Sequence, residues 1–137
     1  MAFVIDASVV LAWLLPDEQS PAAQDIVARL ATRRAQAPAL LHYEVGNALD
    51  QAVRRGRIEP ALRTEMLETF FALPIATEAP DERAVAIASE LASRHAISVY
   101  DACYIELSLR RALPLATMDR ALAEAARAAG VPALPGT

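Results

Sequence analysis

No lysine occurs among the 137 residues, against 13 arginines. A phosphate loop of the form G-x-x-x-x-G-K-[ST] and a Schiff-base amine are therefore excluded, and so are phosphate sites that depend on a lysine, as in receiver domains or dehalogenase-like phosphatases. Glycine is almost as scarce. Gly46, Gly56, Gly130 and Gly136 make neither a G-x-G-x-x-G dinucleotide cradle nor a G-x-S-x-G nucleophile elbow. The single cysteine, Cys103, excludes an internal disulfide and fits a reducing cytosol, so a cytoplasmic protein is expected. No apolar run approaches the ~20 residues that a bilayer span requires. The first residues carry no charged n-region and no A-x-A site, and Asp6 interrupts the apolar stretch from Phe3 to Leu15, so no secretory signal is expected. His42 and His95 are the only histidines, and a metal-free histidine acid/base pair would need them together. The formal charge of -4 argues against a general polyanion binder but leaves local basic patches open.

What is present is a chain that is 55% hydrophobic, with 31 alanines, long enough for one domain over residues 1–137 that buries roughly two thirds of its unfolded surface. Short β-like runs alternate with amphipathic stretches. Residues 2–5, "LPIAT", "LPLAT" and "VPAL" read as strands, and "AQAPALL" as a strand or an extended entry to a helix. Helices are predicted over 7–15, from Pro21 to about Arg34 behind a Ser20 cap, from about Leu41 to Arg55 with Gly56 as terminator, and from Pro60 to about Ala72. Three more span 80–96, Tyr100 to Arg111, and Arg120 to Ala129. In the 80–96 helix the period places Val85, Ala88, Leu91 and Ala92 on one face. Strands this short, separated by helices, predict an α/β fold with a mainly parallel sheet covered on both faces.

In such sheets, sites form beyond the carboxyl ends of the strands. Asp6 follows "FVI" and Asp119 follows "LPLAT", while Asp101 starts the helix "YDACYIELSLR" and Glu44 lies in the first turn of "LHYEVGNAL". Each acid has a plainer reading by itself: Asp101 and Glu44 as first-turn residues that suit the helix dipole, Asp6 and Asp119 as turn residues. Together, four acids at one end of a sheet repel one another unless a divalent cation neutralises them, and hard carboxylate oxygens suit Mg²⁺ or Mn²⁺. Asn47, three residues after Glu44, shares its helix face. Ser8 and Thr117, each two residues from a proposed ligand, can orient ligands or phosphate oxygens, with capping or turn roles as the alternative.

The ordered set "VIDASVVLAWLLPDE", Glu44 with Asn47 in "EVGN", "YDACYIELSLRRALPLAT" and "TMD" resembles a PIN domain, and within that superfamily a VapC-type toxin ribonuclease. The resemblance spans nearly the whole chain. It implies a three-layer α/β/α fold with a short-stranded central sheet, and Asp6, Glu44, Asp101 and Asp119 as a metal-binding, catalytic quartet supported by Ser8, Asn47 and Thr117. It further implies cleavage of cellular RNA such as transfer RNA, a VapB-like antitoxin and a homodimer. Arg120 stands after Asp119 where a further acid would complete a second metal site, which leaves one or two metals open; beside the site, Arg120 is the candidate phosphate contact. The arginines at 54, 55, 57, 110 and 111 end helices whose starts carry the acids. Placed ~15 Å from them, they suit the dipole rather than the scissile phosphate. A PIN-like module that binds RNA or protein without cleaving it is the alternative.

Overall fold

In the computed structural model, which describes residues 2–136, the chain opens with the fully buried strand β1 (Phe3–Ile5) and turns at Asp6 into α1 (Ala7–Leu14). Then follow α2 (Pro21–Ala28), β2 (Ala35–Pro38), α3 (Leu40–Arg54), α4 (Pro60–Phe71), β3 (Ile75–Glu78), α5 (Glu82–His95) and α6 (Val99–Arg111). The chain closes with β4 (Leu115–Ala116), α7 (Arg120–Ala128) and β5 (Ala133–Leu134). The strands form one sheet in the order β3-β2-β1-β4-β5, and every pairing is parallel. Helices α1 to α4 pack on one another, while α6 lies across β1, β2 and β4 with α5 against it, giving the expected three layers. No helix of the described residues is long and apolar enough to cross a membrane.

Local chemistry explains most of the boundaries. Ser20 caps α2 by accepting from the Ala23 N–H at 3.1 Å, with Pro21 in the first turn where its missing N–H costs nothing. Gly56, at a φ of 71°, takes the left-handed conformation that ends α3. The helix expected to reach Arg34 stops earlier: α2 ends at Ala28 and tightens into a 3₁₀ turn over Arg29–Ala31, and exposed residues 32–34 then carry the chain to β2. The buried stripe of α5 departs from the expected one at a single position. Ala84, Ala88, Leu91 and Ala92 face the core, whereas Val85 is 45% exposed. The spacing 84, 88, 91, 92 fits a 3.6-residue repeat as well as the apolar choice did, and packing selected it.

Strand order places the site. From β1 the chain builds outward on one side through β2 and β3, and on the other through β4 and β5, so the connections diverge between β1 and β4. A crevice opens at the carboxyl ends of strands at such a switch point. Pairing of Ile5 with Ala116, and the bond from the Asp6 N–H to the Ala116 carbonyl at 3.1 Å, bring the two chain exits side by side.

Candidate active site

Asp6, leaving β1, is the N-cap of α1, and its Oδ1 accepts from the Val9 N–H at 3.3 Å. Capping alone would leave the carboxylate facing water, but here it is 5% exposed and held by two hydroxyls. Ser8 Oγ donates to Oδ1 at 2.6 Å, and Thr117 Oγ1 donates to Oδ2 at 2.5 Å. Each hydroxyl in turn accepts a backbone N–H from the segment after β4: Met118 N–H to Ser8 at 2.8 Å and Asp119 N–H to Thr117 at 3.0 Å. A hydroxyl has one proton to give. Each hydroxyl thus gives its proton to Asp6 while one of its two lone pairs takes a backbone N–H, and the two hydroxyl oxygens lie 3.3 Å apart. Burial nevertheless pushes the Asp6 carboxyl up to about 6 against these hydrogen bonds, and the charge of Glu44 adds to the rise.

Glu44 comes from α3, where it occupies the second turn rather than the first; α3 begins at Leu40, a residue earlier than expected, and carries no acid in its first turn. The dipole therefore explains Glu44 less well than the sequence suggested. Its Oε1 accepts from the buried Tyr104 hydroxyl at 2.5 Å. Partial burial raises its carboxyl foremost, and the charge of Asp101 raises it further. Asp101 does sit in the first turn of α6, behind Ser98, whose hydroxyl accepts the Asp101 N–H at 3.0 Å. Its carboxyl is raised by partial burial and then by the charge of Asp119. Asp119 is the N-cap of α7 and accepts the Leu122 N–H at 3.1 Å. The repulsions thus run in series, from Asp119 to Asp101 to Glu44 to Asp6.

These four acids line one cavity of about 180 Å³ together with Ser8 and Tyr104, and among the described residues no cationic side chain lines it. The donor set suits a hard divalent cation: four carboxylates, three of them with pKa values raised from their ordinary range, share a recess without a counter-charge. Among the described residues, no three of His, Cys, Asp and Glu form a group already disposed to hold a metal ion. The acids therefore share a cavity and a field rather than a preformed coordination shell.

Of the supporting residues expected from the sequence, Ser8 lines the cavity and Thr117 lies behind Asp6. Asn47 is exposed and outside the cavity lining, so the structure does not bring it to the acids. Arg120 is exposed on a neighbouring groove of about 350 Å³ that Asp119 and Arg127 also line. His42 stacks on Phe71 and meets Phe70 at a tilt, with ring centroids 5.9 and 5.2 Å away, and His95 ends α5. Four of the five helix-end arginines are engaged elsewhere: Arg54 with Asp50, Arg57 with Asp17 and Glu18, and Arg110 and Arg111 with Glu78.

Sequence reasoning missed two residues. Tyr104 reads as core, yet its place three residues after Asp101 puts it on the same face of α6. Glu106, 5% exposed, is gripped by Arg110 through two N–H groups at 2.9 and 3.0 Å, an i,i+4 pair legible in "ELSLR".

A family model described as PIN domain matches residues 3–128. The chain is 34% identical over 128 residues to Ribonuclease VapC3 of Pyrobaculum aerophilum, covering 90% of this chain and 94% of that protein. Among solved structures it is similar to VapBC2 from Rickettsia felis, bound to a DNA fragment from their promoter, with a TM-score of 0.71, 8% identity and coverage of 97% of each chain. It is also similar to Mycobacterium tuberculosis VapC20, a sarcin–ricin-loop-cleaving toxin, with a TM-score of 0.67, 15% identity and coverage of 90% of this chain and 94% of that one.

Proposed function

Because the chain belongs to the PIN domain family, we propose that it is a metal-dependent endoribonuclease and the toxin of a VapBC-type pair, acting on cellular RNA in the cytoplasm, with transfer RNA as the first candidate. The observation that carries this reading is the cavity of four carboxylates without a cationic neighbour. Asp6, Glu44, Asp101 and Asp119 would hold Mg²⁺ or Mn²⁺, which when bound supplies a Lewis acid for a phosphodiester and an acidified water for in-line attack.

The protein's own part follows from the bonding. Ser8 and Thr117 lock the Asp6 carboxylate against the loop after β4, so that the exits of β1 and β4 move as one unit. Asp101 and Asp119 are the candidate acceptors of the attacking water's proton, and the raised carboxyl of Asp101 suits that role. Arg120, beside Asp119, contacts a backbone phosphate. The likeness to VapBC2 supports a VapB-like antitoxin as partner; in the same reading a segment of that antitoxin covers the cavity and the toxin pairs as a homodimer.

The test is cleavage of total cellular RNA by purified protein in Mg²⁺ or Mn²⁺, beside EDTA and an Asp101→Asn control prepared identically. Discrete fragments present with metal and absent in both controls are expected. Folded, antitoxin-free protein that binds RNA equally with and without metal and cuts nothing would make the chain a non-catalytic binding module.

A further inference from the structure

Each acid of the cavity except one is anchored by its own helix start or by the switch-point loop. Asp6 and Asp119 cap helices, and Asp101 lies in a first turn. Glu44 has neither aid: it stands in the second turn of α3, carries one more methylene than an aspartate and so one more torsion to fix, and its other oxygen makes no hydrogen bond among the described residues. Its single polar tether is the Tyr104 hydroxyl, 60 positions away in sequence and 2.5 Å away in space. The Tyr104 ring is 1% exposed and packs in the main core cluster, so the hydroxyl is held from behind by rigid surroundings rather than by a mobile stem. Helix α6 thereby serves the cavity twice, presenting Asp101 from one turn and reaching across to the α3 acid from the next.

We propose that Tyr104 is the positioning residue for Glu44, holding one carboxylate oxygen so that the other is offered to a divalent cation in the acidic cavity. This rests on the reading of the four acids as a metal site. The plainer role for a buried phenol is to find any acceptor for its O–H, in which case its loss costs stability alone. Metal affinity separates the two roles. Partners that orient a metal ligand are each worth about 10–100-fold in affinity or activity, whereas a merely satisfied core hydroxyl is worth nothing there.

The experiment is Mn²⁺ binding by calorimetry to metal-free wild type, Tyr104→Phe, Glu44→Gln and the double variant, with melting in EDTA alongside and kcat and KM on a mapped RNA substrate. Tyr104→Phe keeps the ring and the core. It is expected to weaken Mn²⁺ binding about 10-fold or more and to lower kcat comparably, with KM unchanged. In the Glu44→Gln background, adding Tyr104→Phe should cost no further affinity, because its effect acts through the carboxylate already removed. Wild-type Mn²⁺ affinity in Tyr104→Phe, or a full additional loss in the double variant, overturns the positioning role while leaving the metal site intact. Absence of Mn²⁺ binding by the wild type overturns the metal site itself, and the positioning role with it.

Discussion

At the amino end of α6, Asp101 shares with Glu44, Asp6 and Asp119 a cavity that no cationic side chain of the described residues lines; toward the carboxyl end, Glu106 is clasped by Arg110, which with Arg111 also engages Glu78. The electrostatic outcomes are opposite. The two arginines hold the Glu78 carboxyl below its ordinary range, whereas burial and mutual repulsion hold Asp6, Glu44 and Asp101 above theirs. Supply is not the reason, since the chain has 13 arginines and places a pair of them on this same helix. The chain's own arginines thus answer the acid at one end of the helix, whereas at the other end no cationic side chain of the described residues lines the acids' cavity.

Asp101→Asn should break the comparison most sharply. It is expected to lower RNA cleavage by at least about 100-fold, more than the loss of a partner that merely orients a ligand, while thermal melting without metal stays at or above the wild-type value. Relief of repulsion from Asp119 is the reason for the second half. Melting curves and fragment yields from one preparation check both.

The pH dependence of stability in EDTA should separate the two ends next. Asp6 has a folded pKa of about 6 against an ordinary 3.8, so the folded state favours its protonated form. Its penalty, about 3 kcal/mol, is in force above pH 6 and fades as pH falls toward 4. Glu78 has the opposite sign: its contribution holds above the ordinary carboxylate range and is lost as pH falls through its depressed folded pKa. Metal-free protein is therefore expected to gain stability from pH 7 to pH 5 and to lose it in stronger acid. Saturating Mn²⁺ should remove the gain, and denaturant melts across that range measure it.

Arg110→Ala reverses the pattern of Asp101→Asn. It strands Glu106, which is 5% exposed, and is expected to cost about 1–3 kcal/mol, less than for a wholly buried pair because the Arg110 side chain is 39% exposed. Cleavage per folded molecule should be unchanged. Smallest is Arg57→Ala. Its pairs with Asp17 and Glu18 lie at the surface, and melting is expected to coincide with wild type.

Much of this was legible in the sequence because its signals are local. Strand-ending Asp6, the Ser20–Pro21 start, Gly56 as terminator and Asp101 in a first turn depend on nearest neighbours, and the structure has each of them. What escaped depends on the third dimension. No spacing rule links Tyr104 to Glu44, because the two meet only after α6 crosses the sheet. Glu44 slipped to a second turn because α3 begins without a side-chain cap, at Ala39, and so lacks a boundary signal. On α5 the expected Ala88, Leu91 and Ala92 are buried, and only Val85 gives way to Ala84, because alanine marks a helix face weakly and packing chose between two apolar neighbours. Asn47 shares a helical spacing with Glu44, yet the cavity opens toward α6 and leaves Asn47 in solvent.

The most direct test of the central claim is a calorimetric titration of Mn²⁺ into metal-free wild type and Asp101→Asn at pH 7. Saturable binding by the wild type that the substitution abolishes is the predicted result. Equal binding by both proteins, or none by a folded wild type, would contradict the assignment of the four acids to a metal site.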